Sequence, residues 1–221
     1  MDVKENLAKI EKEIDASIKK SAHSAQPHVI AVTKYVTIER AREAYKVGIR
    51  HFGENRLDGF KEKKESLPSD IKLHFIGSLQ SRKVKDIINE VDYFHALDSV
   101  KLAAEIQKRA QKLIKCFLQV NISREDSKHG FTIEQIDDAL NLISRYDKIE
   151  LIGIMTMAPL KATKEEISSI FEETESLRKR LQARNIERMP FTELSMGMSR
   201  DYDIAIQNGS TFVRIGTSFF K

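Results

Sequence analysis

The chain has 221 residues, and 41% of them are aliphatic, aromatic or cysteine, enough for the core of one large α/β domain or two small ones. Its net charge of +4, from 37 basic and 33 acidic residues, is small and scattered, and the runs KEKKE (61–65) and LRKR (177–180) stand apart from stacking aromatics, which argues against nucleic-acid binding. No stretch approaches the ~20 apolar residues of a membrane span, and the charged N-terminus lacks the apolar region of a signal peptide, so a cytoplasmic protein is expected.

In chain order, residues 3–21 read as an amphipathic helix with Leu7, Ile10, Ile14 and Ile18 on one face. VIAVTKY (29–35) reads as a buried strand, a short β-branched run between polar segments. The helical pattern TIERAREAYKVG starts at Thr37 and closes at Gly48, the residue type usual just past a helix end. IRHFGEN (49–55) is a second strand, followed by a charged helix to about residue 66. KLHFIG (72–77) is the third, with a helix over roughly 81–89, and VDYFHAL (91–97) is the fourth, with a helix over about 99–112. IKCFLQVNI (114–122) is the fifth, and it carries the single cysteine, Cys116, as a core residue that rules out an intrachain disulfide framework. After the loop SREDSKHGF comes the helix TIEQIDDALNLISRY. IELIGIMTM (149–157) is the sixth strand, with a long helix over about 164–183. FTELSMG (191–197) is the seventh, with a short helix over 201–207, and TFVRIGTSFF (211–220) is the eighth.

Eight strands alternating with helices predict an α/β protein, a single (β/α)8 TIM-type barrel spanning 1–221. An open doubly wound sheet is the alternative. The chain stops after strand eight, so no eighth helix is expected, and the extra N-terminal helix should cover that flank.

In such barrels the C-terminal ends of the strands carry the chemistry. Those ends are Lys34, Glu54 with Asn55, Ser78 with Gln80, Asp98, Asn121, Thr156, Ser195 with Gly197, and Arg214 with Gly216 and Thr217. Lys34 ends an apolar strand. It is either a lysine reaching out of the barrel mouth or a desolvated amine able to form a Schiff base. Arg214 interrupts the apolar FVRIG and needs water or an acceptor, with Glu193 as one candidate partner. In LSMGMSRD, Ser199 can cap the short helix that follows, and Gly197 leaves bare backbone. Loops after strands seven and eight commonly bind phosphate in this architecture, so LSMGMSRD with Gly216 and Thr217 suggests an anion site, against an ordinary cap and turn. The six histidines show no zinc spacing, and His74 and His95 read as satisfied core residues. No Walker loop, GxGxxG or GxSxG elbow is present.

A lysine on strand one, an arginine on strand eight and a phosphate cradle between strands seven and eight resemble the pyridoxal-phosphate homeostasis proteins, whose fold is similar to the barrel domain of alanine racemase. The markers are AVTK, FGEN, HFIGSLQ, VN followed by EDSKHG, GIMTM, LSMGMSRD and TFVRIGT, across nearly the whole chain. The resemblance implies that Lys34 carries pyridoxal 5′-phosphate as a Schiff base. It places the phosphate against Ser199, Gly216 and Thr217, Arg214 opposite the pyridine nitrogen, and Asn55 near the ring. Departures fall at the rim. Tyr35 and Val36 follow the lysine where proline is frequent, Arg56 stands where tyrosine is common, and Lys221 follows the last phenylalanine in place of glycine.

The racemases add a second domain that supplies a catalytic tyrosine, and a chain ending at Lys221 is expected to lack it. The resemblance therefore implies a carrier in intracellular vitamin B6 homeostasis, without robust turnover, a monomer in contact with neither nucleic acid nor membrane. Apo pyridoxal-phosphate enzymes are the expected recipients. The alternative is an enzyme, a racemase or another Schiff-base catalyst.

Overall fold

The computed structural model describes residues 2–23, 26–125 and 129–221. Eight strands close into a barrel in chain order: β1 (His28–Val32), β2 (His51–Glu54), β3 (Lys72–Phe75), β4 (Tyr93–Leu97), β5 (Ile114–Gln119), β6 (Ile149–Met155), β7 (Glu193–Met198) and β8 (Phe212–Ile215). All neighbouring pairs are parallel, including the closing β1–β8 pair, which leaves no place for an open sheet. Around the barrel lie α1 (Val3–Lys19), α2 (Ile38–Lys46), α3 (Leu57–Ser66), α4 (Val100–Arg109), α5 (Ile136–Ile143), α6 (Lys164–Gln182), α7 (Tyr202–Gln207) and α8 (Thr217–Phe220).

Local signals set the helix ends. Thr37 caps α2 by accepting from Arg40 N, and Gly48 just beyond that helix takes φ +105°. Thr163 and Glu166 form a reciprocal capping box at the start of α6.

Four expectations need correction. Residues 81–86 form a 3₁₀ helix rather than an α-helix reaching 89. Strand β1 ends at Val32 and not at Tyr35, because Thr33 accepts from Val36 N and turns the chain. Strand β8 ends at Ile215. An eighth helix does follow it, the four-residue α8, whose start is fixed by Ser199 Oγ accepting from Gly216 N and Ser218 N.

The N-terminal helix packs on this terminus as expected. Leu7, Ile10 and Ile14 are buried, and Asn6 Nδ2 donates to the carbonyls of Phe219 and Lys221 at 3.1 Å each. Tyr202 of α7 also donates to Glu13 of α1.

Two cores result. A large apolar one lies between strands and helices, and Cys116 belongs to it. A smaller one fills the barrel with Ile30, Phe117, Ile152, Met155 and Phe212.

Candidate functional site

The mouth of the barrel is where the strand ends meet. Lys34 lies in the turn after β1 and is exposed, its ammonium 5.3 Å from the centre of the Tyr35 ring. The strand is shorter than the sequence suggested, so the desolvated amine is not found in this chain and the outward-reaching lysine is. Beneath the turn, Thr33 Oγ1 donates to Glu54 Oε1 at 2.6 Å, and Lys63 Nζ stands 3.8 Å from the same oxygen. Burial raises the Glu54 pKa, and Thr33 and Lys63 offset only part of that rise.

Lys34, Gly216 and Thr217 line one pocket of about 260 Å³, together with Val32, Thr37, Arg40 and Phe220. Lys34, Arg40 and Lys221 are the charged side chains in that lining, so it suits an anion. Arg40 also donates to Glu43 and, at 3.2 Å, to the Phe220 carbonyl. Ser199, just past β7, lies outside that lining, as do Asn55 and Arg214, and it is tied to the lining through Gly216. Its Oγ accepts from Gly216 N at 3.2 Å and Ser218 N at 3.3 Å. It therefore caps α8, and not α7 as the sequence implied, since Asp201 is the N-cap residue of α7. With both lone pairs used, the Ser199 hydroxyl keeps its own proton to donate.

Gly197 has a different role from the one expected. At φ +89° an added Cβ would lie 2.5 Å from Ala205 Cβ and 2.9 Å from Tyr202 Cα. The bare backbone there admits helix α7 rather than a ligand.

Asn55 follows β2, and its buried Oδ1 has no hydrogen-bond partner among the described residues. Gly77 permits that placement, because a Cβ there would stand 2.5 Å from the Asn55 carbonyl oxygen. A buried amide short of a partner is a binding group in waiting.

Arg214 lies deeper, two residues below Gly216, and is buried. Its Nη1 donates to the Ser195 carbonyl at 2.8 Å and to Ser195 Oγ at 2.6 Å, and its Nη2 donates to the Thr156 carbonyl at 3.0 Å. Glu193 is not its partner. Burial lowers the Arg214 pKa to about 10, while the Asp201 charge works to raise it. The guanidinium thus stays charged at neutral pH.

Of the other strand-end residues, Asn121, Gln80 and Asp98 are engaged elsewhere. Asn121 Nδ2 donates to the Glu125 carbonyl, Gln80 accepts from Arg82, and Asp98 stands 3.9 Å from His129. In the motif EDSKHG, residues 126–128 lie outside the described residues. Sequence reading missed Arg40 and Ser218, which become relevant only through the α2 and α8 turns. It also missed the connection among His51, His74 and His95.

A closed parallel barrel with an extra N-terminal helix, an exposed lysine after β1 and a buried arginine on β8 defines the class, a barrel of the alanine-racemase N-terminal type. Residues 6–221 match the family model "Alanine racemase, N-terminal domain". The chain belongs to this family. It is 34% identical over 225 residues to the pyridoxal phosphate homeostasis protein of Aquifex aeolicus, covering 100% of this chain and 98% of that one. PipY of Synechococcus elongatus, solved with pyridoxal phosphate bound, superposes with a TM-score of 0.86 at 31% identity over 99% of this chain and 100% of its own. Alanine racemase from Corynebacterium glutamicum, at 12% identity and a TM-score of 0.72, shares the fold over 98% of this chain and 59% of its own. Among the described residues, no helix is long and apolar enough to cross a membrane.

Proposed function

We propose that this protein holds pyridoxal 5′-phosphate at the barrel mouth and serves intracellular vitamin B6 homeostasis as a carrier, without robust turnover. The observation that carries this reading is the convergence of Lys34, Gly216 and Thr217 on one cation-lined pocket, with the Ser199 hydroxyl spanning the N–H groups of α8. The residues fit the cofactor in charge. Its phosphate would meet the Lys34, Arg40 and Lys221 side chains of the lining and the remaining proton of Ser199 Oγ, whose lone pairs already take the Gly216 and Ser218 N–H groups. Asn55, with its partnerless buried oxygen, is a polar contact for the ring substituents. When bound, pyridoxal phosphate supplies an aldehyde that condenses with an amine to a Schiff base.

Each residue then has a distinct task. Lys34 Nζ is the attachment point. Its exposure lets the amine meet incoming aldehyde without opening the core. Arg214 would stand opposite the pyridine nitrogen. A guanidinium there would disfavour a second positive charge on the ring, which would then draw electrons weakly. That weak sink suits storage better than bond breaking at an amino acid. In this reading the protein is a cytoplasmic monomer, it contacts neither nucleic acid nor membrane, and apo pyridoxal-phosphate enzymes receive its cargo.

The test is the visible spectrum of protein incubated with pyridoxal phosphate, followed by borohydride reduction and peptide mapping. A yellow protein labelled at Lys34 is expected. A folded, colourless protein would overturn the proposal. In deuterium oxide, no amino acid of a panel should exchange its α-proton faster than with free cofactor. Lys34-dependent exchange would instead mark an enzyme.

A further inference from the structure

The barrel interior holds an unbroken line of polar groups that the site at the mouth does not use. His51 Nδ1 and His74 Nε2 are 2.8 Å apart, as are His74 Nδ1 and His95 Nε2, and His95 Nδ1 and Ser195 Oγ. Ser195 Oγ then receives Arg214 Nη1 at 2.6 Å. His74, His95 and Ser195 have no solvent exposure, whereas His51 is half-buried at the N-terminal end of β2 and His28 beside it is exposed. The line therefore runs from Arg214, near the mouth, to solvent at the opposite face.

Hydrogen-bond logic fixes its direction. Arg214 is charged and can only donate, so Ser195 Oγ accepts from it. Among the described residues the acceptor for the Ser195 proton is then His95 Nδ1. That forces the proton of neutral His95 onto Nε2, which donates to His74 Nδ1. His74 Nε2–H donates in turn to His51 Nδ1, and His51 Nε2–H faces outward. Every group is satisfied. The imidazoles are neutral because burial depresses all three pKa values, His51 to about 4. Around His51 stand His28 from β1, Lys72 and His74 from β3, Asp92 just before β4, and Tyr93 and Phe212, whose rings pack near it. His28 and Lys72 lower its pKa further, and Asp92 raises it.

We infer that His51, His74, His95 and Ser195 form a proton path that exchanges the proton of Arg214 with solvent at the N-terminal face of the barrel. Arg214 Nη1 passes a proton to Ser195 Oγ, and Ser195 passes its own to His95 Nδ1. His95 Nε2–H moves to His74 Nδ1, His74 Nε2–H moves to His51 Nδ1, and His51 Nε2–H leaves to water. One proton has left the guanidinium, and each imidazole has changed tautomer. In the new state every N–H points toward Arg214, and Ser195 donates to the now neutral Nη1. All hydrogen bonds are again satisfied, and the reverse passage restores the first state. Resting on the proposed function, the path would keep the proton count beside the cofactor's ring nitrogen in equilibrium with solvent even when the mouth is covered.

The test uses the full chain without cofactor, so it stands or fails apart from cofactor binding, which the visible spectrum reports. Nitrogen-15 spectra of the histidines at neutral pH should show the Nε2–H tautomer at His51, His74 and His95. An Nδ1–H tautomer at any of them overturns the path. Solvent exchange of the His95 Nε2–H and Arg214 Nη1–H protons is then compared in His51→Gln, which keeps an acceptor but cannot shuttle a proton through a ring. Exchange should slow by about a hundredfold, the low end of what positioned proton transfer contributes. A merely structural histidine predicts the opposite, because loosening the core speeds exchange. Unchanged or faster exchange overturns the inference.

Discussion

The same eight strands back two cores of opposite chemistry. Outside the barrel, between strands and helices, the core is apolar, with Phe52, Phe60, Phe75, Phe94, Phe171 and Phe219 fully buried. Inside it, His74, His95, Ser195 and Arg214 are packed among Ile30, Phe117 and Phe212. Apolar packing tolerates exchange of like volumes, because no single contact is indispensable. A buried polar line does not, since each lost member leaves its neighbour unpaired. The outer core therefore supplies most of the folding free energy, and the inner one spends space on placing Arg214.

The sharpest way to break this contrast is to damage each side alone. Phe171→Ala should cost about 3–5 kcal/mol in a urea titration, the usual range for a fully buried phenylalanine. The histidine nitrogen-15 pattern of the protein that remains folded should not change. Acid should do the reverse and strike the inner core. The folded-state pKa values of His51, His74 and His95 lie below the unfolded value of 6.5, so unfolding takes up protons in this range. Their contribution is fully present above pH 6.5 and is lost as pH falls toward about 4 for His51, and lower for the other two. Below pH 6.5 each fully buried histidine should steepen the loss by about 1.4 kcal/mol per pH unit. His95→Leu should flatten that slope in denaturant titrations at stepped pH. A slope equal to that of the unaltered chain would mean His95 is protonated in the fold.

Smaller effects are expected nearer the mouth. Arg214→Ala removes the donor to two carbonyls and a hydroxyl, and should cost about 1–3 kcal/mol. Any visible band should survive but titrate differently, and an unchanged titration would take Arg214 away from the ring nitrogen. Ser199→Ala should cost about 1 kcal/mol through the lost cap of α8. It should also weaken phosphate-bearing pyridoxal more than pyridoxal itself, as dialysis of the two would reveal.

The order of elements was legible because β-branched runs and helical periodicity alternate without interruption from VIAVT to FVRIG. Ends were less legible. Nothing in VIAVTKY shows that Thr33 turns the chain, since that depends on a hydrogen bond from Val36 and a partner in Glu54, twenty-one residues on. The sequence marks Ser199 as a capping residue but points to the wrong helix, because its partners at Gly216 and Ser218 are distant in sequence and meet it only through barrel closure. Gly197 shows the same limit, its bare face being claimed by Ala205 and Tyr202. His74 and His95 were legible one at a time as core histidines. Their linkage was not, because it depends on how much each strand is staggered against the next.

Lys34 gives the smallest expected effect on stability and the largest on function. Its side chain is exposed in a turn, its Nζ lies 5.3 Å from the centre of the Tyr35 ring, and that ring is itself 76% exposed. An exposed cation–π contact is worth about 0.5–1 kcal/mol at most, so Lys34→Ala should leave the urea midpoint nearly unchanged. The same substitution should abolish the visible band and the borohydride label completely, because no other lining residue puts an amine beside Gly216 and Thr217 except Lys221, beyond α8. A label that moves to Lys221 in Lys34→Ala would show that the pocket selects the phosphate first and takes whichever amine is near. A variant that loses both the band and phosphate-dependent retention would show instead that the covalent bond, and not the cradle at Ser199, supplies most of the hold.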